Sequence, residues 1–339
     1  MGEKTNLNKK TTLKDIAEEV GLSAMAVSKA LNGKGGISEE AVEKIKDAAK
    51  RLNYTPNIVA KSLRLNRTKT IGVIVSDSSH SFFAKVVKGI EDTAAAKGYN
   101  IILCNTDQSY EKEKKAVNVL INKRIDGLIL AASMLTKKTD IDFLKSFSVP
   151  FVFLIRRNES EEVDYVINDN ILGSYQLVNY LIKSGSSRIH FLNLYEESPS
   201  GKDRLQGYEK ALGENGIAYN PALVRNIKPS IEDGYIAMRS LLDKGEVIRT
   251  VFCGCDIIGI GVMEAILEKG LKIPEDIRVA AYDDIDFAAY LRVPLTTVRQ
   301  PKEAIGCKGT DLLINKIKTG YSDTQHLILK PELVIRQST

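Results

Sequence analysis

The chain has 339 residues, of which 43% are hydrophobic and 27% are charged, the composition of a soluble globular protein with two or three domains. No apolar run is long enough to span a bilayer, and the lysine-rich start of the chain lacks the hydrophobic region of a secretory signal, so we expect a cytoplasmic location.

Four scattered cysteines exclude a disulfide framework. For Cys253 and Cys255 we expect buried strand thiols and no metal site, since no second Cys or His pair lies nearby in the sequence. We expect no cofactor.

Positive charge is concentrated at the start of the chain. Residues 1–70 contain 14 Lys and Arg against 8 Asp and Glu, a net charge of +6, whereas the other residues have a net charge of −1. A compact basic segment attached to a neutral body is typical of a nucleic-acid-binding module. A solvated basic tail would give the same charge distribution, so the helical pattern has to decide between the two.

The basic segment has the pattern of three helices. Thr12 and Asp15 have the spacing of a capping box before a first helix that ends at Gly21. Ser23 is placed to cap a second helix, and a third is predicted over residues 38–53. Two short helices joined by a glycine turn form a helix-turn-helix, whose second helix enters the major groove of DNA. We therefore predict an all-α DNA-binding headpiece over residues 11–54.

A short linker follows the headpiece. Pro56 suits the first turn of a helix predicted over residues 56–64, which is too short to be stable alone in water. We assign residues 55–69 to this hinge helix and linker, and residues 70–339 to an α/β core.

In the core, strands alternate with amphipathic helices. Strands are predicted at residues 71–75, 100–104, 126–130, 149–154, 165–167, 188–192, 250–253, 277–281, 295–298 and 326–330. Helices are predicted at residues 82–97, 110–124, 170–183, 203–215, 231–243, 257–269 and 302–318. Continuous apolar strands separated by helices imply parallel sheets covered on both faces, and two such series imply two similar lobes. The favoured ligand site is a cleft between the lobes, beyond the carboxyl ends of the strands.

Motifs along the whole chain resemble the lac repressor/galactose repressor family. In the headpiece they are T-L-K-D-I-A from Thr12, G-L-S from Gly21, V-S-K-A-L-N from Val27, N-Y-T-P-N from Asn53 and A-K-S-L from Ala60. In the core they include R-L-Q-G-Y from Arg204, C-D at Cys255, A-Y-D-D from Ala281 and Q-P at Gln300. The resemblance covers residues 11–339 almost entirely. It implies a helix-turn-helix headpiece and a core of two parallel-sheet lobes of the periplasmic-binding-protein type.

The resemblance also implies how the headpiece binds DNA. Ala24, Met25 and Lys29 match positions that read base edges, although Lys29 stands where many relatives carry Arg and so lacks the bidentate fork. Ala60 and Leu63 match the hinge-helix residues that enter the minor groove, with Leu63 as the apolar wedge that bends the operator. Without the resemblance, Leu63 would be read as part of a packed linker helix. The other implied DNA contacts are Thr12, Ser23, Ser28, Asn32, Tyr54 and Asn57.

In the cleft, the resemblance implies an effector site. Arg204, expected to open a helix, and Asp283, expected to end a strand, would bind sugar hydroxyls or a carboxylate. Phe82 would stack on a ring, Arg156 would lie at the edge of the pocket, and Asp256 would begin a helix. Read without the resemblance, Arg204 would be a surface ion pair, Asp283 a helix cap and Phe82 a core aromatic residue.

Some cleft positions depart from the pattern of sugar-responsive relatives. Cys255 stands where many of them have Asn, Ile155 stands where Asp is frequent, and residues 227–230 lack an aromatic side chain. These departures predict an unusual or larger ligand, or the loss of small-molecule sensing.

We therefore expect a sequence-specific transcription regulator, a repressor, whose dimeric core binds a sugar or sugar derivative and controls affinity for a pseudo-palindromic operator. We do not expect an enzyme, because His80, His190 and His326 lie apart in the sequence and no nucleophile elbow or zinc-ligand spacing is present. Two alternatives remain: a regulator whose core responds to a partner protein, and a transport sugar-binding protein, against which the headpiece argues.

Overall fold

We describe the protein from a computed structural model, which covers residues 11–55, 67–131, 135, 137–157, 162–320 and 323–339. The chain divides into two compact units, Met1–Thr68 and Lys69–Thr339. None of the described helices is long and apolar enough to cross a membrane. The hinge helix predicted at residues 56–64, with Asn57, Ala60 and Leu63, lies outside the described residues.

The headpiece consists of α1 (Leu13–Val20), α2 (Ala24–Leu31) and α3 (Glu39–Arg51). As predicted, Thr12 and Asp15 form a capping box at the start of α1, and Gly21 ends that helix in the left-handed conformation that glycine adopts without strain. The hydroxyl of Ser23 accepts a hydrogen bond from the backbone N–H of Ala26 at 3.1 Å and so caps α2. Each helix contributes a buried side chain to one small core, made chiefly of Ile16, Val27 and Ile45. The predicted helix-turn-helix is confirmed.

The second unit contains twelve described strands and eight described helices. The strands are β1 (Thr70–Val75), β2 (Asn100–Asn105), β3 (Gly127–Ala131), β4 (Phe151–Leu154), β5 (Tyr165–Asn168), β6 (His190–Leu194), β7 (Val224–Ile227), β8 (Thr250–Cys253), β9 (Arg278–Asp283), β10 (Thr296–Arg299), β11 (His326–Leu329) and β12 (Glu332–Val334). The helices are α4 (Ser81–Ala96), α5 (Tyr110–Asn122), α6 (Lys138–Lys145), α7 (Asn170–Lys183), α8 (Pro199–Glu214), α9 (Ile231–Asp243), α10 (Asp256–Glu268) and α11 (Lys302–Thr319).

The strands form two six-stranded sheets, one in each lobe. The first sheet has the order β11-β5-β4-β3-β1-β2, with every neighbouring pair parallel. The second has the order β12-β10-β9-β8-β6-β7, in which only the edge strand β12 is antiparallel. Central strands such as β3 are apolar and buried along their whole length, because helices cover both faces of each sheet. The predicted pair of parallel-sheet lobes is confirmed.

The chain passes between the lobes at residues 168–170, 299–302 and 329–332. Helix α11 packs against the first sheet, and residues such as Ile305, Leu313 and Ile317 belong to its core. Residues 302–329 thus complete the first lobe after most of the second lobe has been built, and the chain then returns to add β12 to the second sheet.

Several helix pairs approach closely at glycines, and two of these contacts are described here. On α10, a Cβ atom at Gly261 would overlap the carbonyl oxygen of Ile231 and lie 2.7 Å from the backbone N of Tyr235, both on α9. On α11, a Cβ at Gly306 would likewise overlap the carbonyl oxygen of Val86 on α4. These contacts let backbone pack against backbone, and no larger side chain fits there without moving a helix.

Several predicted boundaries are wrong. Helix α8 begins at Pro199, at the position after its cap Ser198, so Arg204 lies in its second turn and does not open it. The sequence reading missed β7 and β12, which are short, partly exposed edge strands, and it missed the eight-residue α6. Cys253 lies in β8 as predicted, whereas Cys255 is the residue before α10; both thiols are free and buried.

Candidate functional site

Helix α2 presents an exposed face on the side opposite the headpiece core. Val27 and Ala30 are buried, while Met25 is 70% exposed and Lys29 is exposed. Met25 and Lys29 are four residues apart and therefore lie on one face of the helix. At the end of the helix, the side-chain amide of Asn32 donates a hydrogen bond to the carbonyl of Ser28 at 2.7 Å. This face can enter a groove of DNA without disturbing the packing of the headpiece.

The other described headpiece candidates lie at helix starts or against the headpiece core. Thr12 and Ser23 are the capping residues of α1 and α2, so each hydroxyl lies at the amino end of a helix. Ala24 is the first residue of α2 and partly buried. Tyr54 packs against the headpiece core, and burial raises its pKa above the ordinary value of a phenol.

Between the two sheets lies a cleft with an empty volume of about 690 Å³, part of it open to solvent. Its walls are the carboxyl ends of parallel strands and the helix starts that follow them, as expected for α/β sheets. The first lobe contributes Ser76, Asp77, His80, Phe82, Phe83, Gln108, Ile155 and Arg156. The second contributes Leu194, Tyr195, Ser198, Ser200, Arg204, Pro229, Cys255, Asp283 and Gln300.

Arg204 is held by several contacts in the cleft wall, with 4% of its side chain exposed. Its Nε donates to the side-chain oxygen of Asn170 at 3.1 Å, and one terminal nitrogen donates to the carbonyl of Gly254. The other terminal nitrogen lies 3.5 Å from a carboxylate oxygen of Asp283. The guanidinium stacks on the ring of Tyr282, 3.8 Å from its centroid. Arg204 is therefore fixed in place before any ligand arrives.

Asp283 faces Arg204 at the end of β9. Its carboxylate accepts a hydrogen bond from the side-chain amide of Gln300 at 2.6 Å, and Lys302 donates to its backbone carbonyl at 2.6 Å. Lys302 also donates to the carbonyl of Asp284 at 2.7 Å. Asp283 has a φ of 114°, a backbone conformation that L-residues rarely adopt and that such surroundings must hold in place. Burial lowers the pKa of the Lys302 amine, and the nearby Asp283 and Asp284 oppose that shift.

Asp256 is not among the residues that line the cleft. Its carboxylate accepts hydrogen bonds from the hydroxyl of Thr297 at 2.5 Å and from the backbone N–H of Ile285 at 2.8 Å. Complete burial, followed by the charge of Asp283, raises the pKa of this carboxyl well above its usual range. Asp256 therefore joins the start of α10 to the loop after β9, one layer behind the cleft surface.

The first-lobe wall of the cleft is aromatic. The rings of His80, Phe82 and Phe83 pack edge to face, with the centroids of Phe82 and Phe83 5.3 Å apart. Phe82 itself is buried, as expected for a core aromatic residue. Arg156 lies over the ring of Tyr195, 5.7 Å from its centroid, and so bridges from one lobe to the other.

An ion pair joins the two lobes, and a strained turn lies directly before it in the sequence. Arg157 donates to the carboxylate of Asp203 at 2.8 Å, a contact between the lobes. Just before it, the backbone N–H of Arg156 donates to the carbonyl of Leu154 at 2.8 Å, and Ile155 between them has a φ of 74°. This is the geometry of a γ-turn, which is rare for a β-branched residue. Ile155 thus lines the cleft from a backbone conformation that β-branched residues rarely adopt.

Of the predicted effector contacts, the structure brings Phe82, Arg156, Arg204 and Asp283 to one cleft, and leaves Asp256 behind it. Sequence reasoning assigned no role in the site to Asn170, Gln300 and Lys302, which fix Arg204 and Asp283. It also missed Tyr195, whose buried hydroxyl has no hydrogen-bond partner among the described residues. Position in the sequence could have indicated a role in the cleft, since Tyr195 and Gln300 each directly follow a strand.

Comparison with known proteins matches both units. A family model described as bacterial regulatory proteins of the lacI family matches residues 12–57. A second, described as periplasmic binding proteins and sugar binding domain of the LacI family, matches residues 68–336.

Individual relatives match over nearly their whole length. The HTH-type transcriptional repressor PurR of Vibrio atlanticus (strain LGP32) is 34% identical over 96% of this chain and 98% of its own. The HTH-type transcriptional regulator RegA of Clostridium saccharobutylicum is 35% identical over 97% and 99%. Among solved structures, the lac repressor dimer bound to operator and the anti-inducer ONPF has a TM-score of 0.88 at 28% identity, covering 97% of this chain and 99% of that one. The chain belongs to the LacI family of DNA-binding transcription regulators, with an effector-binding core.

Proposed function

We propose that this protein is a cytoplasmic repressor that binds a pseudo-palindromic operator as a homodimer and a sugar or sugar derivative in its interlobe cleft. The observation that carries the effector part is the buried pair of Arg204, on α8, and Asp283, at the carboxyl end of β9, which both line the interlobe cleft. A buried ionic pair is costly to desolvate, and it is useful where a polar ligand completes its hydrogen bonds.

The two walls of the cleft suit the two kinds of surface on a sugar ring. Arg204 and Asp283 offer a donor fork and an acceptor to adjacent hydroxyls. Opposite them, Phe82 and Phe83 offer apolar surface to the C–H face of a ring. A similar protein has been solved as the transcriptional regulator CelR in complex with cellobiose, with a TM-score of 0.75 at 30% identity. These features support a carbohydrate, and Ile155 and Cys255 set the part of the pocket that differs from sugar-responsive relatives.

Effector binding is expected to depend on the carboxylate of Asp283. The full-length protein is heated with sugars, sugar acids, sugar phosphates, oligosaccharides and nucleobases, and the melting temperature is recorded for each. A ligand at about a hundred times its dissociation constant stabilises the fold by roughly 2.7 kcal/mol. Asp283→Asn removes the charge with little change of shape and should abolish the shift, because the ligand loses an ionised acceptor.

Asp243→Asn is the matched control, since Asp243 is on α9 in an exposed ion pair with Lys269. It should keep the ligand shift. If Asp283→Asn keeps the shift as well, the cleft assignment is wrong. Silence of the wild-type protein across the panel would favour the alternative that the core responds to a partner protein.

The DNA part of the proposal rests on α2. We assign base contacts to Ala24, Met25 and Lys29, and phosphate contacts to Thr12, Ser23, Ser28 and Asn32. Tyr54, Asn57, Ala60 and Leu63 complete the set from the resemblance, with Leu63 as the wedge in the minor groove. An eight-residue recognition helix contacts few base pairs, so two copies on adjacent half-sites are needed for specificity.

Exposed apolar side chains of the core support the homodimer. Ile102 and Leu103 are exposed on β2, an edge strand of the first sheet, and Phe287 and Tyr290 are exposed after β9 in the second lobe. Large apolar side chains and an uncovered strand edge are typical of a surface that a partner covers. Effector-dependent movement of the lobes would then change the spacing of the two linkers and hence operator affinity.

Loss of the Lys29 amine is expected to weaken specific DNA binding. The operator is first selected from a randomised DNA library with the full-length protein. Lys29→Ala should then lower affinity for that DNA by about tenfold or more and relax preference at one base position in each half-site, since a base contact contributes about 1–3 kcal/mol of discrimination. Fluorescence anisotropy with the selected and a scrambled duplex measures both effects.

Lys44→Ala changes the net charge equally and serves as the control. Lys44 is on α3, in an exposed ion pair with Glu40. The assignment of Lys29 fails if the two variants lose affinity for selected and scrambled DNA to the same extent.

A further inference from the structure

A second groove lies in the second lobe, at the end of its sheet opposite the cleft. It has an empty volume of about 820 Å³, including its open mouth. The segments that line it precede β6, β8 and β9, which are neighbours in the sheet, so the groove runs along their amino ends. The effector cleft lies at the carboxyl ends of the same strands, and the two sites are therefore separated by the length of the sheet.

Three arginines line this groove: Arg188, Arg249 and Arg278. Arg249 and Arg278 each use one terminal nitrogen on a backbone carbonyl, of Asp276 at 3.5 Å and of Ser184 at 2.5 Å respectively. Neither guanidinium has a carboxylate within ion-pair distance among the described residues. Two positive charges thus face the groove with N–H donors to spare and without a charged partner.

The acidic residues in and beside the groove form no ion pair with these two arginines among the described residues. The Asp276 carboxylate accepts a hydrogen bond from the backbone N–H of Lys272 at 2.8 Å, which ties it to its own turn. The Glu246 carboxylate pairs with Arg188 at 3.6 Å. Glu275 is exposed on the rim. An anion in the groove would therefore meet Arg249 and Arg278 first.

We propose that this groove binds the phosphate group of a small molecule. A guanidinium offers parallel N–H donors that match the oxygens of phosphate, and two of them converging on one groove are the chemistry for an oxyanion. Val247, which is 69% exposed, and Pro274 add apolar surface for the organic part of a phosphate ester. The site is independent of the effector cleft and of the function proposed for it.

The test is the melting temperature of the full-length protein titrated with inorganic phosphate, and with phenyl phosphate against phenol, at constant ionic strength set by chloride. Constant ionic strength matters because screening alone changes surface electrostatics. The wild-type protein should show a saturable rise with phosphate and a half-saturating concentration about tenfold lower with phenyl phosphate, and none with phenol. Arg249→Gln should raise the half-saturating phosphate concentration about tenfold or abolish the effect, because Arg249 is exposed and its loss leaves the fold intact.

Arg278→Gln is the second variant, read against its own melting temperature without phosphate, since its contact with Ser184 contributes to the fold. Arg239→Gln, in an ion pair with Glu268 on α9 and α10, is the matched control and should behave as wild type. Asp283→Asn should also keep the phosphate response, which separates this groove from the effector cleft. The proposal is overturned if the wild type, Arg249→Gln and Arg278→Gln respond equally to phosphate. It is also overturned if the response to phosphate is no larger than the response to chloride.

Discussion

Replacing Gly261 with Ala is expected to destabilise the second lobe by about 3 kcal/mol, near the upper end of the cost of overpacking a core. The new methyl group would overlap the carbonyl oxygen of Ile231 and approach the backbone N of Tyr235 to 2.7 Å, so α9 and α10 would have to separate. Backbone atoms cannot move aside as the end of a flexible side chain does. Thermal unfolding followed by circular dichroism at 222 nm measures the loss.

Gly213→Ala makes the same chemical change on α8 in open space. Nothing lies within 4 Å of a Cβ atom at Gly213, and the residue is exposed. Alanine has the higher helix propensity, so this variant should gain about 0.5–1 kcal/mol. The two Gly→Ala substitutions, both in helices, are therefore expected to change the free energy of unfolding in opposite directions. A Gly261→Ala protein that melts with the wild type would show that the two helices are less closely packed than described.

The second large effect is expected for Arg204→Ala, which should lower the free energy of unfolding by about 3–5 kcal/mol and abolish effector binding. Removing the guanidinium leaves the carboxylate of Asp283 buried without its charged partner, and it leaves Asn170 and the carbonyl of Gly254 without a donor. It also removes the cation that stacks on Tyr282. Urea unfolding and the effector titration described above measure the two losses.

Two further variants separate charge from geometry. Arg204→Lys keeps the positive charge but cannot reach Asn170, Gly254 and Asp283 together, so it should recover part of the stability and little of the effector affinity. Arg239→Ala breaks a partly exposed ion pair with Glu268 in the same lobe and should cost less than about 1 kcal/mol. If Arg204→Ala is no more destabilising than Arg239→Ala, then Arg204 is not the organising residue of the cleft.

The sequence predicted the architecture well where the physical signal is local. Capping residues such as Thr12 and Ser23 mark the start of a helix in the sequence, and a buried parallel strand such as β3 is recognisable as a continuous apolar run. The strands that escaped prediction, β7 and β12, lie at sheet edges, where half-exposed residues carry no strong alternation. Their existence depends on a neighbouring strand that a local pattern does not contain.

The candidate site was predictable in part for the same reason. Arg204 and Asp283 were found through the resemblance, and Asp283 also through its place at a strand end. The partners that hold them come from distant segments: Asn170 begins α7, Gln300 follows β10 and Lys302 begins α11. Which of many polar residues after strands converge on one pair of side chains is a property of the three-dimensional fold. Asp256, for example, faces Thr297 and not the cleft although it follows a strand closely.

Helix α11 and strand β11 lie late in the sequence, so during synthesis they can join the first lobe only after its other strands have been made. The backbone N–H of Gln325, just before β11, donates to the carboxylate of Asp164, just before β5, across 161 positions of sequence. Helix α11 closes the core over β1, β3 and β4, all of which leave the ribosome far earlier. Until residues 302–329 emerge, α4 covers only part of that apolar sheet face, and the part that α11 covers over β3 and β4 stays exposed. Such surfaces are prone to aggregation. We therefore expect nascent chains of this protein to depend most on chaperones while the second lobe is being synthesised and α11 is not yet present.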